Sequence, residues 1–383
     1  MTINFNKIPS PCFVLEESLL RKNLELLARV QREAGIEIIC ALKGYSMWST
    51  FPMIKHYLSG ATASSLNEAR LIYEEMGVES HTYSPVFIEV EMEDVLRYSS
   101  HISFNSMSQY EKYHRMVKSY HKPVSIGIRV NPEYSEVGTD LYNPAMPGSR
   151  LGVIRSQLPD TLPPDIDGIH FHVLCENDSY ALERTLAKFE EKFAGLIQQA
   201  KWLNMGGGHL ITQDGYDVLH LIDLLRDFRS RYPNLQSLIL EPGGAIGWQT
   251  GYLVSTVLDI IENHGIRVAM LDVSFSAHMP DCLEMPYKPV ILGAMDAQPG
   301  APVYRMGGST CLAGDFMGMG DYYFPHGLKV GDKVVFDNMI HYTMVKTTFF
   351  NGVKHPAIGI WKEDGTFVQC KAFEYSDFKG KLS

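Results

Sequence analysis

The feature that most constrains the fold is an alternation of short apolar stretches with helical stretches between residues 36 and 240. The apolar stretches are too short and too β-branched for helices, so they are predicted to be buried strands. The eight predicted strands are residues 36–42, 60–64, 81–86, 101–104, 124–130, 168–173, 202–205 and 237–240. Eight such units close a (β/α)8 TIM-type barrel, whereas a doubly wound open sheet shows fewer units and an early glycine-rich turn.

The remainder of the chain follows a different pattern. From about residue 254, strand-like stretches follow one another without intervening helices and are punctuated by Gly and Pro. They cover residues 290–293, 303–306, 332–336, 342–345 and 366–369. We therefore predict a barrel at residues 18–253 and a second, mainly β domain at residues 254–383. The segment 1–17 precedes the first barrel helix, and its strand is expected to pair with the second domain.

Lys43 stands where the first predicted strand ends and Gly44 follows. Barrel enzymes carry their chemistry at this end of the strands, and a lysine desolvated there can lose its proton and act as an amine nucleophile. A surface lysine just after a strand is the alternative for this stretch taken alone. The motifs at the ends of the later strands decide between the two interpretations.

Glycine turns follow the last two predicted strands, at Gly206–Gly208 and Gly243–Gly244. Glycines let backbone N–H groups approach an anion, and the loops after these strands are a recurrent phosphate site in barrels. Gly207, Gly208 and Gly243 are therefore predicted to bind the phosphate of a cofactor.

Three further side chains belong to the same ring of strand ends. Glu241 ends the eighth strand and faces the mouth that Lys43 faces; a carboxylate there could keep the ring nitrogen of pyridoxal phosphate protonated. His172, after the sixth strand, could stack on that ring, with a buried hydrogen-bonded histidine as the alternative. Arg129, at the end of the fifth strand, is placed to hold Glu241 or a substrate group.

Composition excludes some classes of function and sets an expected compartment. A formal charge of −10 argues against a nucleic-acid surface and fits a cationic ligand. The six cysteines are scattered without a C-x-x-C pair, so neither a metal site nor a disulfide framework is predicted. The N-terminus lacks the pattern of a signal peptide, and no apolar run is long enough to span a bilayer. We expect a cytoplasmic protein with no membrane segment.

Taken in order, these motifs resemble the fold-type III pyridoxal phosphate decarboxylases, the alanine racemase-like group that includes the ornithine and diaminopimelate decarboxylases. The resemblance covers nearly the whole chain. It implies pyridoxal 5'-phosphate as cofactor, with Lys43, Arg129, His172, Gly207, Gly208, Glu241 and Gly243 around it. It also implies a homodimer in which the segment 308–315, with Cys311, enters the partner's active site, and in which Tyr342 reaches the cofactor phosphate.

Some positions depart from the usual family pattern. Gly244 stands where the family has an arginine, Thr62 where ornithine decarboxylases have an aspartate, and Cys175 where a phosphate-binding serine is common. With the segment 271–287, these features most closely resemble the subgroup that decarboxylates carboxynorspermidine, a triamine bearing one α-amino-carboxylate. Its cationic amines require carboxylates at matched distances, and the candidates, with Asp281 the first choice, are Asp272, Asp281, Glu284, Asp315 and Glu241.

The sequence thus predicts a decarboxylase of carboxynorspermidine, and of carboxyspermidine as well, in polyamine biosynthesis. Lys43, Glu241 and Cys311 are the predicted catalytic residues, with Cys311 as the proton donor to the product carbon. Two alternatives remain open at this point. One is another decarboxylase of the family, acting on diaminopimelate or ornithine, and the other is a cofactor-binding regulator without catalytic activity.

Overall fold

The computed structural model describes residues 3–297 and 300–383, and it divides the chain into two compact units. We call residues 23–246 the barrel unit. Residues 1–22 together with 247–383 form the other, which we call the sheet unit.

Eight parallel strands close into a barrel, which confirms the fold predicted from the sequence. The ring runs in chain order and is closed by pairing of the last strand with the first. After β1 (Cys12–Glu16), the barrel strands are β2 (Glu37–Ala41), β3 (Gly60–Ala63), β4 (Ser80–Tyr83), β5 (Ser99–Phe104), β6 (Ser125–Asn131), β8 (Ile166–His170), β9 (Trp202–Asn204) and β10 (Ser237–Leu240), with the short β7 (Val153–Ile154) beside β6.

Helices follow the barrel strands, and several begin at a side chain that caps the first turn. Ser65, Ser106, Asp178 and Asp217 each accept a backbone N–H three residues ahead, which satisfies a donor that the helix leaves unpaired. The helices are α1 (Glu17–Ala34), α2 (Phe51–Tyr57), α3 (Leu66–Leu71), α4 (Met92–Tyr98), α5 (Met107–Ser119), α6 (Ser179–Ile197), α7 (Val218–Arg231) and α8 (Gly244–Gly247).

The residues that fill the interior of the barrel show which side chains of each strand point toward the barrel mouth. Trp202 fills this interior: a Cβ on Gly168 would lie 1.9 Å from its ring, and one on Gly127 would lie 2.2 Å from it. Because side chains alternate between the two faces of a strand, residues two positions further along point the same way, nearer the carboxyl end. On β6, β8 and β9 these residues are Arg129, His170 and Asn204. The mouth of the barrel is therefore lined by polar groups directly above an apolar layer.

The sheet unit is built on a mainly antiparallel sheet. Its longest strand pairs with β1, and β1 also pairs in parallel with the strand on its other side. The further strands are β11 (Gly251–Asn263), β12 (Ile266–Leu271), β13 (Met295–Asp296), β14 (Val303–Gly307), β15 (Tyr322–Tyr323), β16 (Lys333–Asp337), β17 (Ala357–Trp361) and β18 (Phe367–Lys371). The α-helices described after β11 are α9 (Phe275–His278), α10 (Asp281–Glu284), α11 (Tyr342–Val345) and α12 (Tyr375–Leu382).

Two predicted strands of this unit are wrong. Residues 342–345 form the short helix α11, because the N–H groups of Val345 and Lys346 are bonded locally, to the carbonyls of His341 and Tyr342. Local hydrogen bonds here outweigh the strand preference of Tyr, Thr and Val. Residues 290–293 do not form a strand either, since a turn with Gly293 at φ +77° ends the stretch after a single bridge.

Candidate active site

Lys43 lies in the turn that follows β2, at the carboxyl end of the barrel. The N–H groups of Gly44 and Tyr45 both donate to the carbonyl of Ala41, at 3.0 and 3.1 Å, and close this turn. A Cβ on Gly44 would lie 2.8 Å from the Cα of Gly243, so glycine is required for the turns after β2 and β10 to touch. The Lys43 side chain is accessible to solvent at the mouth of the barrel.

A hydrogen-bond chain holds the Lys43 amine beside an imidazole. The Nζ atom of Lys43 lies 3.1 Å from Nε2 of His172, and Nδ1 of His172 accepts the N–H of Gly207 at 3.0 Å. With Nδ1 as acceptor, the neutral imidazole carries its proton on Nε2 and donates it toward Lys43. Desolvation and the charge of Arg129 lower the pKa of Lys43, while Glu241 opposes them. A lowered pKa increases the fraction of unprotonated amine, which is the nucleophilic form. The nucleophilic role of Lys43 stays a prediction.

His172 itself is held neutral. Burial, followed by the charges of Lys43 and Arg129, lowers the pKa of its imidazole well below the usual range. The tautomer set by Gly207 is therefore the form present at neutral pH.

Glu241 directly follows β10, and 11% of its side chain is exposed. Its Oε1 accepts a hydrogen bond from Nδ2 of Asn204 at 2.6 Å, and its Oε2 lies 3.8 Å from Nε2 of His170. Burial raises the pKa of Glu241, and the bond from Asn204, the charge of Lys43 and a bond from Thr62 oppose that effect. The strand end thus presents a desolvated carboxylate whose ionised form depends on specific neighbours.

Arg129 is buried, with 4% exposure, in the carboxyl half of β6. Its Nη2 donates to the carbonyl oxygen of His172 at 3.1 Å, and its guanidinium lies over the ring of Tyr83, 4.5 Å from the ring centre. The arginine therefore anchors the backbone that carries His172. Its charge also lowers the pKa of Glu241, which is the electrostatic part of the role predicted for it.

The glycine turn after β9, residues 206–208, is required for packing in the barrel and also contains a candidate donor to a ligand. A Cβ on Gly207 would lie 2.1 Å from the carbonyl oxygen of Glu241, so no other residue fits there. The N–H of Gly207 is already bonded to His172, which corrects its predicted use as a phosphate donor. In the described ranges, the N–H groups of Gly208 and Gly243 have no protein acceptor, and these two remain the backbone candidates for an anion.

Cys311 is exposed in the sheet unit, on the loop between β14 and β15. Its backbone N–H donates to Oδ1 of Asn351 at 2.9 Å. Asp315, with 5% exposure, fixes this loop: its carboxylate accepts the N–H groups of Phe275 and Thr310 and three further hydrogen bonds. This carboxylate therefore holds the Cys311 loop in shape, rather than presenting the open acceptor that we predicted for a substrate amine.

Asp281 and Glu284 begin and end α10 and share a cationic partner, Lys346. The ammonium of Lys346 lies 3.1 Å from Oδ1 of Asp281 and also contacts Glu284 directly. Burial opposes the charge, but the hydrogen bonds of the two carboxylates raise the pKa of Lys346. Two carboxylates and one ammonium leave a net charge of about −1, so this cluster can still neutralise one further cation.

Two other predicted site residues, Asp272 and Tyr342, also lie in the sheet unit. Asp272 accepts the hydroxyl of Ser10 at 2.7 Å and the N–H of Thr256 at 2.8 Å, and thereby connects the start of β1 to β11. Tyr342 is the first residue of α11 and is partly buried.

Sequence reasoning missed three polar groups of the barrel mouth and one lysine of the sheet unit, and it noted Thr62 only as a departure from the family pattern. Asn204 and His170 lie on strands whose inward register was readable, since each stands two residues beyond a residue of the apolar layer or a glycine that faces it. Tyr83 ends β4, and Thr62 is the third of the four residues of β3. Nothing in the sequence pointed to Lys346. Among the described residues, no group of three or more His, Cys, Asp or Glu side chains is arranged to hold a metal ion.

Comparisons with known proteins agree with this geometry. The family model described as "Pyridoxal-dependent decarboxylase, C-terminal sheet domain" matches residues 45–340. A carboxyaminopropylagmatine decarboxylase from Synechocystis is 51% identical over 98% of this chain and 96% of its own. A carboxynorspermidine/carboxyspermidine decarboxylase from Campylobacter jejuni is 43% identical over 98% of both chains. The crystal structure of carboxynorspermidine decarboxylase from Campylobacter jejuni, complexed with norspermidine, matches at TM-score 0.89 and 41% identity, covering 98% of this chain and 100% of that one.

None of the helices in the described ranges combines the length and the apolar character needed to cross a bilayer.

Proposed function

The chain belongs to the pyridoxal-dependent decarboxylases, and from this premise we propose that it removes the α-carboxylate of carboxynorspermidine and of carboxyspermidine. The products are the corresponding triamine and CO2. One observation carries the reaction type: the Lys43 amine and the Glu241 carboxylate sit on adjoining strand ends of one barrel mouth. The substrate rests on the full-length relatives that carry that activity in their names, one of them complexed with norspermidine.

The residues of the barrel mouth fit pyridoxal phosphate. Lys43 supplies an amine whose pKa is lowered, Glu241 supplies a desolvated carboxylate, and Gly208 and Gly243 supply N–H groups without acceptors among the described residues. When bound, the cofactor supplies an electron sink for the pair released as CO2 departs. Gly244 stands where the family has an arginine. Backbone N–H groups would therefore make a larger share of the hydrogen bonds to the phosphate.

Each side chain has a separate task in this proposal. Lys43 would hold the cofactor through Nζ. Glu241 would keep a proton on the ring nitrogen, which its negative charge favours. His172 is locked in one tautomer by Gly207 and covers the site beside Lys43. Cys311 supplies the proton that the substrate carbon receives after CO2 has left.

We also propose a cytoplasmic homodimer in which the Cys311 loop of one subunit completes the barrel site of the other. All six cysteines are free, which suits a reducing compartment. Cys311 is exposed on a loop that Asp315 holds rigid, a geometry that suits insertion into a second chain.

The acidic cluster at α10 gives a prediction about substrate affinity. We expect Asp281→Asn to raise KM for carboxynorspermidine at least about tenfold, because Lys346 then neutralises the remaining carboxylate and a substrate ammonium loses its counter-charge. Binding of pyridoxal phosphate should change much less. Steady-state kinetics and cofactor titration measure both quantities.

Lys346→Met is the matched control for this prediction. It removes the cation of the same cluster and leaves both carboxylates, so KM should fall or stay unchanged. If Asp281→Asn left KM unaltered, or if both variants shifted KM in the same direction, the substrate amines would bind elsewhere.

A second substrate is favoured by one observation, the 51% identity to a carboxyaminopropylagmatine decarboxylase. Agmatine carries a guanidinium in place of a terminal ammonium, and a pair of carboxylates suits either group. In this case Asp281 and Glu284 would bind a guanidinium. The two candidates share the reacting α-amino-carboxylate and differ only at the distal end.

Product analysis decides among these substrates. The purified protein, loaded with pyridoxal phosphate, is incubated in parallel with carboxynorspermidine, carboxyspermidine, carboxyaminopropylagmatine, diaminopimelate and ornithine, and products are identified by mass spectrometry. We expect loss of CO2 from the carboxytriamines with kcat/KM at least about a hundredfold above that for diaminopimelate or ornithine. Preferred turnover of either amino acid would overturn the proposed substrate class, and preference for carboxyaminopropylagmatine would select the second candidate.

A further inference from the structure

Asn204 connects two parts of the barrel mouth through the two ends of one amide. Its Oδ1 accepts the N–H of Gly206 at 2.8 Å, and its Nδ2 donates to Oε1 of Glu241 at 2.6 Å. The side chain is buried, with 3% exposure. Because the Gly206 bond requires an acceptor, the amide cannot flip, and a donor always faces Glu241. The backbone strengthens the same link, since the N–H of Glu241 donates to the carbonyl of Gly206 at 2.8 Å.

Glu241 depends on this donor for its orientation and its charge. Burial favours the protonated carboxyl, and the hydrogen bond from Asn204 is the strongest opposing influence. His170, 3.8 Å from the other oxygen, has no hydrogen-bond partner on either ring nitrogen among the described residues, and burial lowers its pKa well below the usual range, so it adds no positive charge. Further polar or charged neighbours among the described residues are Thr62 on β3, Tyr83 on β4, Lys43 after β2 and Arg129 on β6.

We propose that Asn204 is a positioning residue that holds Glu241 ionised and in one orientation toward the cofactor ring, and that couples this carboxylate to the glycine turn. It acts through Glu241 and does not itself react. The inference needs the cofactor assignment but not the identity of the substrate.

Two substitutions separate the two ends of the amide. Asn204→Asp keeps an acceptor for the N–H of Gly206 but offers Glu241 a donor only when one proton is shared between the two carboxyls, as happens at lower pH. Asn204→Ala removes both bonds. Asn23→Asp is the control for burial: Asn23 is another buried asparagine of the barrel unit, and its amide donates to the carbonyl of Ile246.

The measurement is the dissociation constant of pyridoxal phosphate from the apoprotein, followed by fluorescence quenching between about pH 6 and pH 8.5, with circular dichroism as the check on folding. We expect Asn204→Ala to weaken binding about 10- to 100-fold at every pH. Asn204→Asp should bind within about threefold of the unsubstituted protein at the acid end and lose at least about tenfold as the pH rises. Asn23→Asp should show no such added pH dependence.

Affinity of Asn204→Asp that follows the unsubstituted protein across the whole pH range would overturn the proposal, and so would a loss that Asn23→Asp reproduces. If Asn204→Ala does not fold, Asn204→Asp alone decides, because its pH dependence is not expected from a structural defect. No substrate is used, so a failure here is distinguishable from a failure of the proposed decarboxylation.

Discussion

Replacing Lys43 by alanine is expected to lower kcat/KM for the carboxytriamine at least about a thousandfold, because the amine that holds the cofactor and delivers it to the substrate is lost. The variant should still fold, since the Lys43 side chain is exposed and the turn that carries it is closed by backbone bonds from Gly44 and Tyr45 to Ala41. Initial rates of CO2 release and a thermal melt provide the two measurements.

Two companion variants make the Lys43 result specific. Lys43→Arg keeps the positive charge but not the nucleophilic amine, and it should be as inactive as the alanine variant. Lys201→Ala removes a surface lysine just before β9, where it pairs with Asp167, and should retain activity within about twofold. Activity of Lys43→Ala within tenfold of the unsubstituted protein would mean that Lys43 is an ordinary surface lysine.

Mixing inactive chains is expected to restore activity if each site is shared between two subunits. Lys43→Ala chains and Cys311→Ala chains are combined under conditions that exchange subunits. In trans, each heterodimer holds one doubly damaged site and one intact site, so random reassortment should recover roughly a quarter of full activity. Lys43 belongs to the barrel unit, and Cys311 lies on an exposed loop of the sheet unit. Each substitution therefore changes a different unit of the chain.

If each site is formed within a single chain, the mixture is expected to show a different activity. If Lys43 and Cys311 act within one chain, every site in the mixture carries a lesion, and activity stays at the level of the separate variants. Verified subunit exchange without recovery would therefore contradict the shared site. Exchange is verified by native mass spectrometry of chains that carry different isotopes.

Much of the barrel was predictable because its signals are local and repeated. The strands alternate with helices at regular intervals, and parallel strands bring their carboxyl ends to one edge. Lys43 and Glu241 each directly follow a predicted strand, and His172 lies at the end of another, so their convergence at the mouth was expected from their positions. The structure confirms the (β/α)8 barrel and brings Lys43 to 3.1 Å from His172.

The remaining features depend on contacts that a pattern does not encode. The role of Asn204 depends on the pairing of β9 with β10, and Lys346 reaches α10 across 62 residues or more of sequence. Asp315 was a candidate for a substrate amine, and its hydrogen bonds to the loop and to α9 join residues that are up to 40 positions apart in the sequence. Residues 342–345 carry strand-forming side chains, yet local backbone hydrogen bonds make them a helix.

The most direct test of the central claim is the position at which pyridoxal phosphate is covalently held. The loaded protein is reduced with borohydride, digested and mapped by mass spectrometry. We expect the reduced cofactor on the peptide that contains Lys43, at close to one per chain, because its side chain is accessible at the barrel mouth and its lowered pKa favours the nucleophilic amine. Attachment at any other lysine, with Lys43 unmodified, would contradict the account.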